Sequence, residues 1–199
     1  MNEKHMVLLV VSGAAGFIGS HLVDHLLATG ATVIGVDDLS SGQLGNLDTA
    51  LSNDRFTLVE HDVTIWPWPN IPTSEPVTAI YHLACPASPV MYQADQPRTL
   101  HTCYAGTRNA IALSTLHGAR MLLASTSEVY GDPQEHPQQE DYFGNVNTLG
   151  PRACYDEGKR VAEVLCFMAS TSGLHVRIAR IFNTYGPRLR ADDGRAVLL

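Results

Sequence analysis

Cysteine, net positive charge and long apolar runs are all in short supply, and each shortage removes a class of function. The four cysteines among 199 residues, Cys85, Cys103, Cys154 and Cys166, show no C-x-x-C spacing. Neither a metal site nor a disulfide framework is expected from them, and free buried thiols suit a reducing compartment. Thirteen Lys and Arg against 20 Asp and Glu give a formal net charge of −7. General binding to nucleic acid or to an anionic membrane is therefore not expected, and an anionic ligand must be held by local groups. The apolar run after the N-terminus is about six residues, far short of the roughly 20 that span a bilayer. A cytoplasmic chain without a membrane segment is the expectation. No internal repeat or low-complexity tract is visible, and the length suits one packed domain.

What is present begins with a strand, a glycine loop and a helix. Met6 to Ser12 is β-branched and aliphatic, Gly13-Ala-Ala-Gly16-Phe-Ile-Gly19 follows, and Ser20 to Ala28 reads as a helix that stops at Gly30. Glycines at this spacing let the backbone turn tightly and approach a pyrophosphate, with the positive end of the helix facing the phosphates. A second strand, Ala31 to Val36, leads into Asp37, 18 residues past Gly19. A carboxylate there can accept from both ribose hydroxyls and repels a 2′-phosphate, so NAD is preferred to NADP.

Further strands are expected at Phe56 to Glu60, Val77 to Ala84, Arg120 to Ala124 and Leu174 to Ile181. Ser40 to Asn53 reads as a loop or short helix, and the proline-interrupted stretch Trp66 to Pro76 as an irregular connection. A loop from Leu83 to Pro89 and a helix from Thr99 to Leu116 come next in the reading. Strands alternating with helices imply a parallel sheet, whose carboxyl edge is where open α/β sheets bind ligands. Ser125-Thr126-Ser127-Glu128-Val129-Tyr130-Gly131 lies at such an edge. If extended, it would aim Thr126 and Glu128 into one cleft. Asp132 to Asn147 is acidic and proline-containing, a surface excursion.

The run Gly150-Pro-Arg-Ala-Cys-Tyr-Asp-Glu-Gly-Lys-Arg-Val-Ala-Glu163 carries the strongest chemical suggestion. Pro151 is a good helix opener, and Tyr155 and Lys159, four residues apart, project from one helical face. A free phenol has a pKa of about 10, and a neighbouring ammonium lowers it, giving a candidate acid/base pair. Val161, Ala162, Leu165, Met168 and Ala169 recur at helical spacing and are expected to bury a different stripe.

Together, the glycine loop, Asp37, the Ser/Thr strand end, Tyr155-x-x-x-Lys159 and Arg180-Ile-Phe-Asn-Thr-Tyr-Gly-Pro187 resemble the extended short-chain dehydrogenases/reductases that act on nucleotide sugars. Within them, residues 125–131, 142–163 and 180–194 are similar to the UDP-glucuronate decarboxylase branch. The single Glu128, with Ser at 127, separates the chain from dehydratases, which carry an Asp-Glu pair, and from 4-epimerases, which usually lack the glutamate. The resemblance implies an α/β, doubly wound parallel sheet of Rossmann type. Residues 1–199 would form its NAD-binding domain, without most of a C-terminal substrate-capping domain.

The resemblance also implies a mechanism. Tyr155 would take the proton of the sugar 4-hydroxyl as hydride leaves carbon 4 for NAD, with Lys159 lowering the phenol pKa and Thr126 sharing the hydrogen bond. The 4-keto sugar would lose carbon dioxide with Glu128 beside it, and returning hydride would give UDP-xylose. The implied cofactor residues are Gly13, Gly16, Phe17, Ile18, Gly19, Asp37, Asp38, Ser41, Gly42, Asp62, Val63, Leu83, Thr102, Tyr155, Lys159, Thr184 and Arg195. Those for UDP-glucuronate are Ser88, Glu128, Tyr155, Asn183 and Arg195. A homodimer is implied through the helix after Arg98 and the Tyr155 helix. Three positions depart from the pattern: Cys85 where Ser is usual, Cys103 where Asn is usual, and His101 near a usually basic position. A chain without the capping arginine is expected to turn over little. A sister dehydratase, a sister epimerase and a non-catalytic NAD-binding module are the alternatives.

Overall fold

The computed structural model describes residues 7–72 and 75–192. Six strands, β1 Leu8–Ser12, β2 Thr32–Asp37, β3 Phe56–Glu60, β4 Val77–His82, β5 Arg120–Thr126 and β6 Val176–Ile181, form one sheet. All neighbours are parallel, in the order β3-β2-β1-β4-β5-β6. The chain moves outward from β1 to β3, then returns to the other side of β1 for β4. Next to each other, β1 and β4 open a crevice at their carboxyl ends, the usual ligand position in such sheets.

The inner strands are apolar and largely buried on both faces, whereas the edge strands β3 and β6 are partly exposed. Leu8, Val10, Ile34, Val36, Ile80 and Leu123 pack on one side with Ala110, Leu113, Ala162 and Cys166. Leu9, Val11 and Val33 pack on the other with Val23, Leu26, Leu27 and Leu47. Alternate residues of β1 thus serve opposite layers, as the two-residue strand period requires. Helix α1 Phe17–Ala28 covers one face, while α5 Thr107–His117 and α6 Ala153–Thr171 cover the other.

Several expected boundaries move for local reasons. Helix α1 begins at Phe17 rather than Ser20, capped by the backbone of Gly16. Between β2 and β3 lie a 3₁₀ turn, Leu44–Leu47, and the short α2, Asp48–Leu51. The stretch after β4 is not all loop. Helix α3, Pro89–Ala94, opens on Ser88, whose hydroxyl accepts from the Met91 N–H at 3.3 Å. Helix α4, Gln96–His101, is capped likewise by Asp95, and a π turn, Thr102–Gly106, joins it to α5. A serine or aspartate cap followed by proline is a helix-start signal, present at both places and passed over because periodicity becomes clear only at Thr99.

Helix α6 differs most from expectation. It starts at Ala153, two residues after Pro151, which lies in the preceding turn. Its buried stripe is Tyr155, Gly158, Lys159, Ala162 and Cys166, so the polar pair sits inside the packed face. Val161, Val164, Phe167 and Met168 face outward instead, with Phe167 67% exposed. Of the expected stripe Ala162 is buried and Leu165 and Ala169 partly so, while Val161 and Met168 are exposed, because the inward face is the one carrying Lys159, whose ammonium finds a buried acceptor in the Ala124 carbonyl at 2.8 Å.

Candidate active site

The crevice is a cleft of about 620 Å³ lined by the glycine loop, the loop after β4, the end of β5, α6 and the segment after β6. A smaller recess continues it toward Asp37, Asp38, Asp62, Val63 and Thr102. Gly13, Gly16, Ser41, Leu83 and Cys85 border both.

The glycines have specific steric reasons. Gly13 has φ +75°, and a Cβ there would lie 2.8 Å from the Ala84 amide nitrogen. A Cβ on Gly19 would collide with the Gly13 carbonyl oxygen. The loop therefore stays bare backbone, and no side chain caps the first turn of α1. Its amides remain available for an anion at the positive end of the helix.

At the other end of the loop Asp37 is buried, accepting from the Ala15 N–H and the Leu39 N–H, each at 2.9 Å. Burial pushes its carboxyl above the ordinary range, and those two amides oppose the shift. Gly42 leaves the space beside it, since a Cβ there would stand 2.9 Å from Asp37 Oδ1. Asp38 is paired with Arg98 at 2.8 Å. Asp62 accepts from the Thr64 N–H at 2.9 Å, and hydrogen bonds hold its carboxyl low against desolvation. Thr102 donates to the Arg98 carbonyl at 2.8 Å.

Tyr155 and Lys159 are both buried at the centre of the cleft. The Lys159 ammonium lies 5.9 Å from the Tyr155 ring centroid. Burial pushes the Tyr155 phenol up to about 12, with Lys159 and the Thr126 side chain acting in the opposite direction. The ammonium therefore moderates a phenol that the protein interior keeps protonated, rather than bringing it below its ordinary value. Lys159 itself is held charged, its pKa raised by neighbouring thiols and Tyr155 against desolvation. Deeper in, His82 is pushed down to about 3 by burial and by Lys159. It stays neutral, with the Ser12 hydroxyl 2.7 Å from Nδ1.

Glu128 reaches the cleft by another route than expected. Strand β5 ends at Thr126, and Ser127–Tyr130 is a 3₁₀ turn whose Glu128 N–H donates to the Thr126 hydroxyl at 3.2 Å. Both residues line the same cleft. Glu128 is paired with Arg152 at 2.9 Å, just ahead of α6. Beside this pair burial pushes Asp156 up to about 6, and its Oδ1 has no hydrogen-bond partner among the described residues.

Ser88, Asn183, Thr184, Phe17 and Ile18 also line the cleft, whereas Arg195 lies outside the described residues. Several lining residues are not marked by the sequence, Tyr92 and Arg152 among them. Tyr92 stacks on Tyr155 with ring centroids 5.0 Å apart and planes 6° from parallel. Arg152 stood in the motif run, but its partner lies 24 positions away in sequence. Seeing Tyr92 required α3, whose Ser-Pro start was the available signal.

The description NAD dependent epimerase/dehydratase family matches residues 9–198. UDP-glucuronic acid decarboxylase 1 of Arabidopsis thaliana is 54% identical over 190 residues, which are 95% of this chain and 42% of that protein. UDP-glucuronic acid decarboxylase 1 of Xenopus tropicalis is 48% identical over 99% of this chain and 46% of its own length. The chain thus spans about half the length of these curated relatives. Among solved structures, UDP-glucuronic acid 4-epimerase from Bacillus cereus, in complex with UDP-glucuronic acid and NAD, superposes with a TM-score of 0.79. It is 28% identical over 94% of this chain and 60% of that one. A parallel sheet in this order, a bare glycine loop, a buried Tyr-x-x-x-Lys pair and a family match across nearly the whole length have one common explanation: the chain belongs to the NAD-dependent epimerase/dehydratase family.

Proposed function

We propose that the protein decarboxylates UDP-glucuronate to UDP-xylose through a 4-keto sugar, with NAD regenerated in each turnover. The observation that carries this reading is the meeting of Glu128 with Thr126, Tyr155 and Lys159 in one cleft, in a chain about half identical to proteins named UDP-glucuronic acid decarboxylases. The residues present fit a dinucleotide: Gly13 and Gly19 leave no room for side chains beside the loop, and Asp37 faces the smaller recess. When bound, NAD supplies the two-electron acceptor and donor for carbon 4.

Tyr155 accepts the proton of the 4-hydroxyl, Thr126 positions that hydroxyl, and the Lys159 charge stabilises the phenolate as it forms. The 4-ketone makes the sugar a β-keto acid, so the electrons of the breaking carbon–carboxylate bond have an acceptor. Glu128, paired with Arg152 at 2.9 Å in the same cleft, would assist protonation of carbon 5. Incubation with UDP-glucuronate and NAD followed by product analysis tests the reading: UDP-xylose and carbon dioxide support it, and UDP-galacturonate as the product replaces it with epimerisation.

Asp37→Ala is expected to weaken NAD binding and to relax discrimination against NADP, because the carboxylate is the group facing the adenosine ribose. Titration with both cofactors checks this, and an unchanged preference removes Asp37 from the ribose site.

The same reading extends to a homodimer. Helices α4 and α6 pack together, and nearby Leu100, Tyr104, Val164, Phe167 and Met168 are exposed. A patch of this kind is a candidate for contact with a second copy. Sedimentation should show a concentration-dependent dimer that Phe167→Lys dissociates, and a monomer at all concentrations overturns it.

A further inference from the structure

Cys85 and Cys103 lie on different elements, the loop after β4 and the π turn before α5. Their sulfurs are nevertheless 3.1 Å apart. Only the first is open to the cleft. Cys85 is partly exposed and borders both the main cleft and its recess, while Cys103 is buried. We propose that this pair is a dithiol site for hydroperoxides, closing to a Cys85–Cys103 disulfide that distorts the dinucleotide cradle.

The two sulfurs are suited to different steps. The hydrogen bond shared with Cys103 and the charge of Lys159 lower the Cys85 thiol against the effect of burial, and this lowering favours its thiolate. The same neighbour and burial hold Cys103 protonated. The thiolate is the attacking form, and access to the cleft gives it a route to small oxidants. Cys154 and Cys166 have neither advantage: both are buried, and burial raises both thiols.

In the first step Cys85 sulfur attacks the near oxygen of a hydroperoxide. A sulfur–oxygen bond forms, the oxygen–oxygen bond breaks, and the alkoxide leaves as alcohol after taking a proton. In the second, Cys103 gives up its proton and attacks the Cys85 sulfenic sulfur. The disulfide forms and hydroxide leaves as water. Two thiols lose two electrons in total and the peroxide gains them, so no further reductant is needed.

The disulfide also has a structural consequence. A sulfur–sulfur bond is about 2.05 Å long, so the two atoms must approach by about 1 Å. Cys103 is buried and packed against α6, where Gly158 leaves just the room it occupies: a Cβ there would stand 3.0 Å from its Cβ and Sγ. The shift falls mainly on Cys85 and its loop. Leu83 and Ala84 of that loop back directly onto Gly13, where a Cβ would stand only 2.8 Å from the Ala84 nitrogen. Closing the disulfide thus moves the strand end that backs the glycine loop.

The test is hydroperoxide treatment of the full 199-residue chain at neutral pH, followed by mass spectrometry with alkylation of remaining thiols. The expected result is a loss of about 2 Da per chain, two hydrogens, with a Cys85–Cys103 cross-linked peptide, Cys154 and Cys166 still alkylated, and full reversal by dithiothreitol. Cys103→Ser should stop at Cys85 sulfenic or sulfinic acid, and Cys85→Ser should leave all three remaining thiols reduced. NAD affinity of the wild-type chain should fall on oxidation and return on reduction. Over-oxidation of wild-type Cys85 with Cys103 still alkylatable, or preferential oxidation of Cys154 or Cys166, overturns the dithiol. Complete cross-linking with unchanged NAD affinity overturns its coupling to the cradle. The mass readout is independent of any sugar chemistry, so it stands apart from the decarboxylase reading.

Discussion

Tyr155→Phe is expected to stop the proposed reaction before carbon 4 is oxidised, with a loss of about 10²- to 10⁴-fold. The phenol, buried at the cleft centre, is the group proposed to accept the proton. Thr126 and Lys159 both favour its ionised form, and Tyr92 stacks on its ring. Phenylalanine preserves the stack and the packing of α6, so folding should survive, which an unchanged melting temperature would verify. Single-turnover absorbance of the reduced nicotinamide is the measurement, and accumulation at the unmodified rate would remove Tyr155 from the role of base.

A companion change, Lys159→Met, separates charge from shape. The ammonium favours the phenolate, so its removal raises the pKa of a phenol already pushed up to about 12 by burial. The acid limb of the pH–rate profile should therefore move to higher pH, and any residual activity should recover partly with alkali. A profile at the same pH, merely scaled down, would mean that Lys159 acts only by holding β5 through the Ala124 carbonyl.

Much of the site was legible because it is written in short local patterns. The glycine spacing and the four-residue step from Tyr155 to Lys159 each depend on one turn or one helical repeat, and the step from Gly19 to Asp37 on one helix and the strand that follows it. The parallel sheet was legible for the same reason: strands apolar on both faces, such as Leu8 to Val11, admit few other surroundings. What escaped depends on partners distant in sequence. Lys159 is buried because a carbonyl of β5 receives it, which no pattern within α6 reveals, so Val161 and Met168 were assigned to the wrong side. At Tyr155 the lowering by Lys159 is visible in sequence, but the burial that outweighs it is not. Tyr92 over Tyr155, Arg152 against Glu128 and Cys85 against Cys103 all join separate elements. They became visible only once the sheet had brought those elements to one edge.

Glu128→Gln should give a different failure from Tyr155→Phe, because the two groups stand on separate elements of the cleft. Glutamine keeps the length of the side chain and the backbone N–H that the Thr126 hydroxyl accepts, leaving Thr126, Tyr155 and Lys159 in place. It removes the negative charge that pairs with Arg152 at 2.9 Å and the carboxylate proposed to assist protonation at carbon 5. Oxidation at carbon 4 should therefore proceed, while the later steps slow by about the 10²- to 10⁴-fold typical of a lost acid/base group. In a single turnover, reduced nicotinamide should rise and persist, and the 4-keto sugar should be recoverable after quenching. Carbon dioxide release measured in the same reaction then locates the block. Slow release places Glu128 before or at carboxylate loss, and prompt release with delayed UDP-xylose places it at the protonation that follows. A variant that completes the cycle at the unmodified rate would leave Glu128 as no more than the ion-pair partner of Arg152. One that never forms reduced nicotinamide would assign it to substrate positioning, with the same defect as Tyr155→Phe.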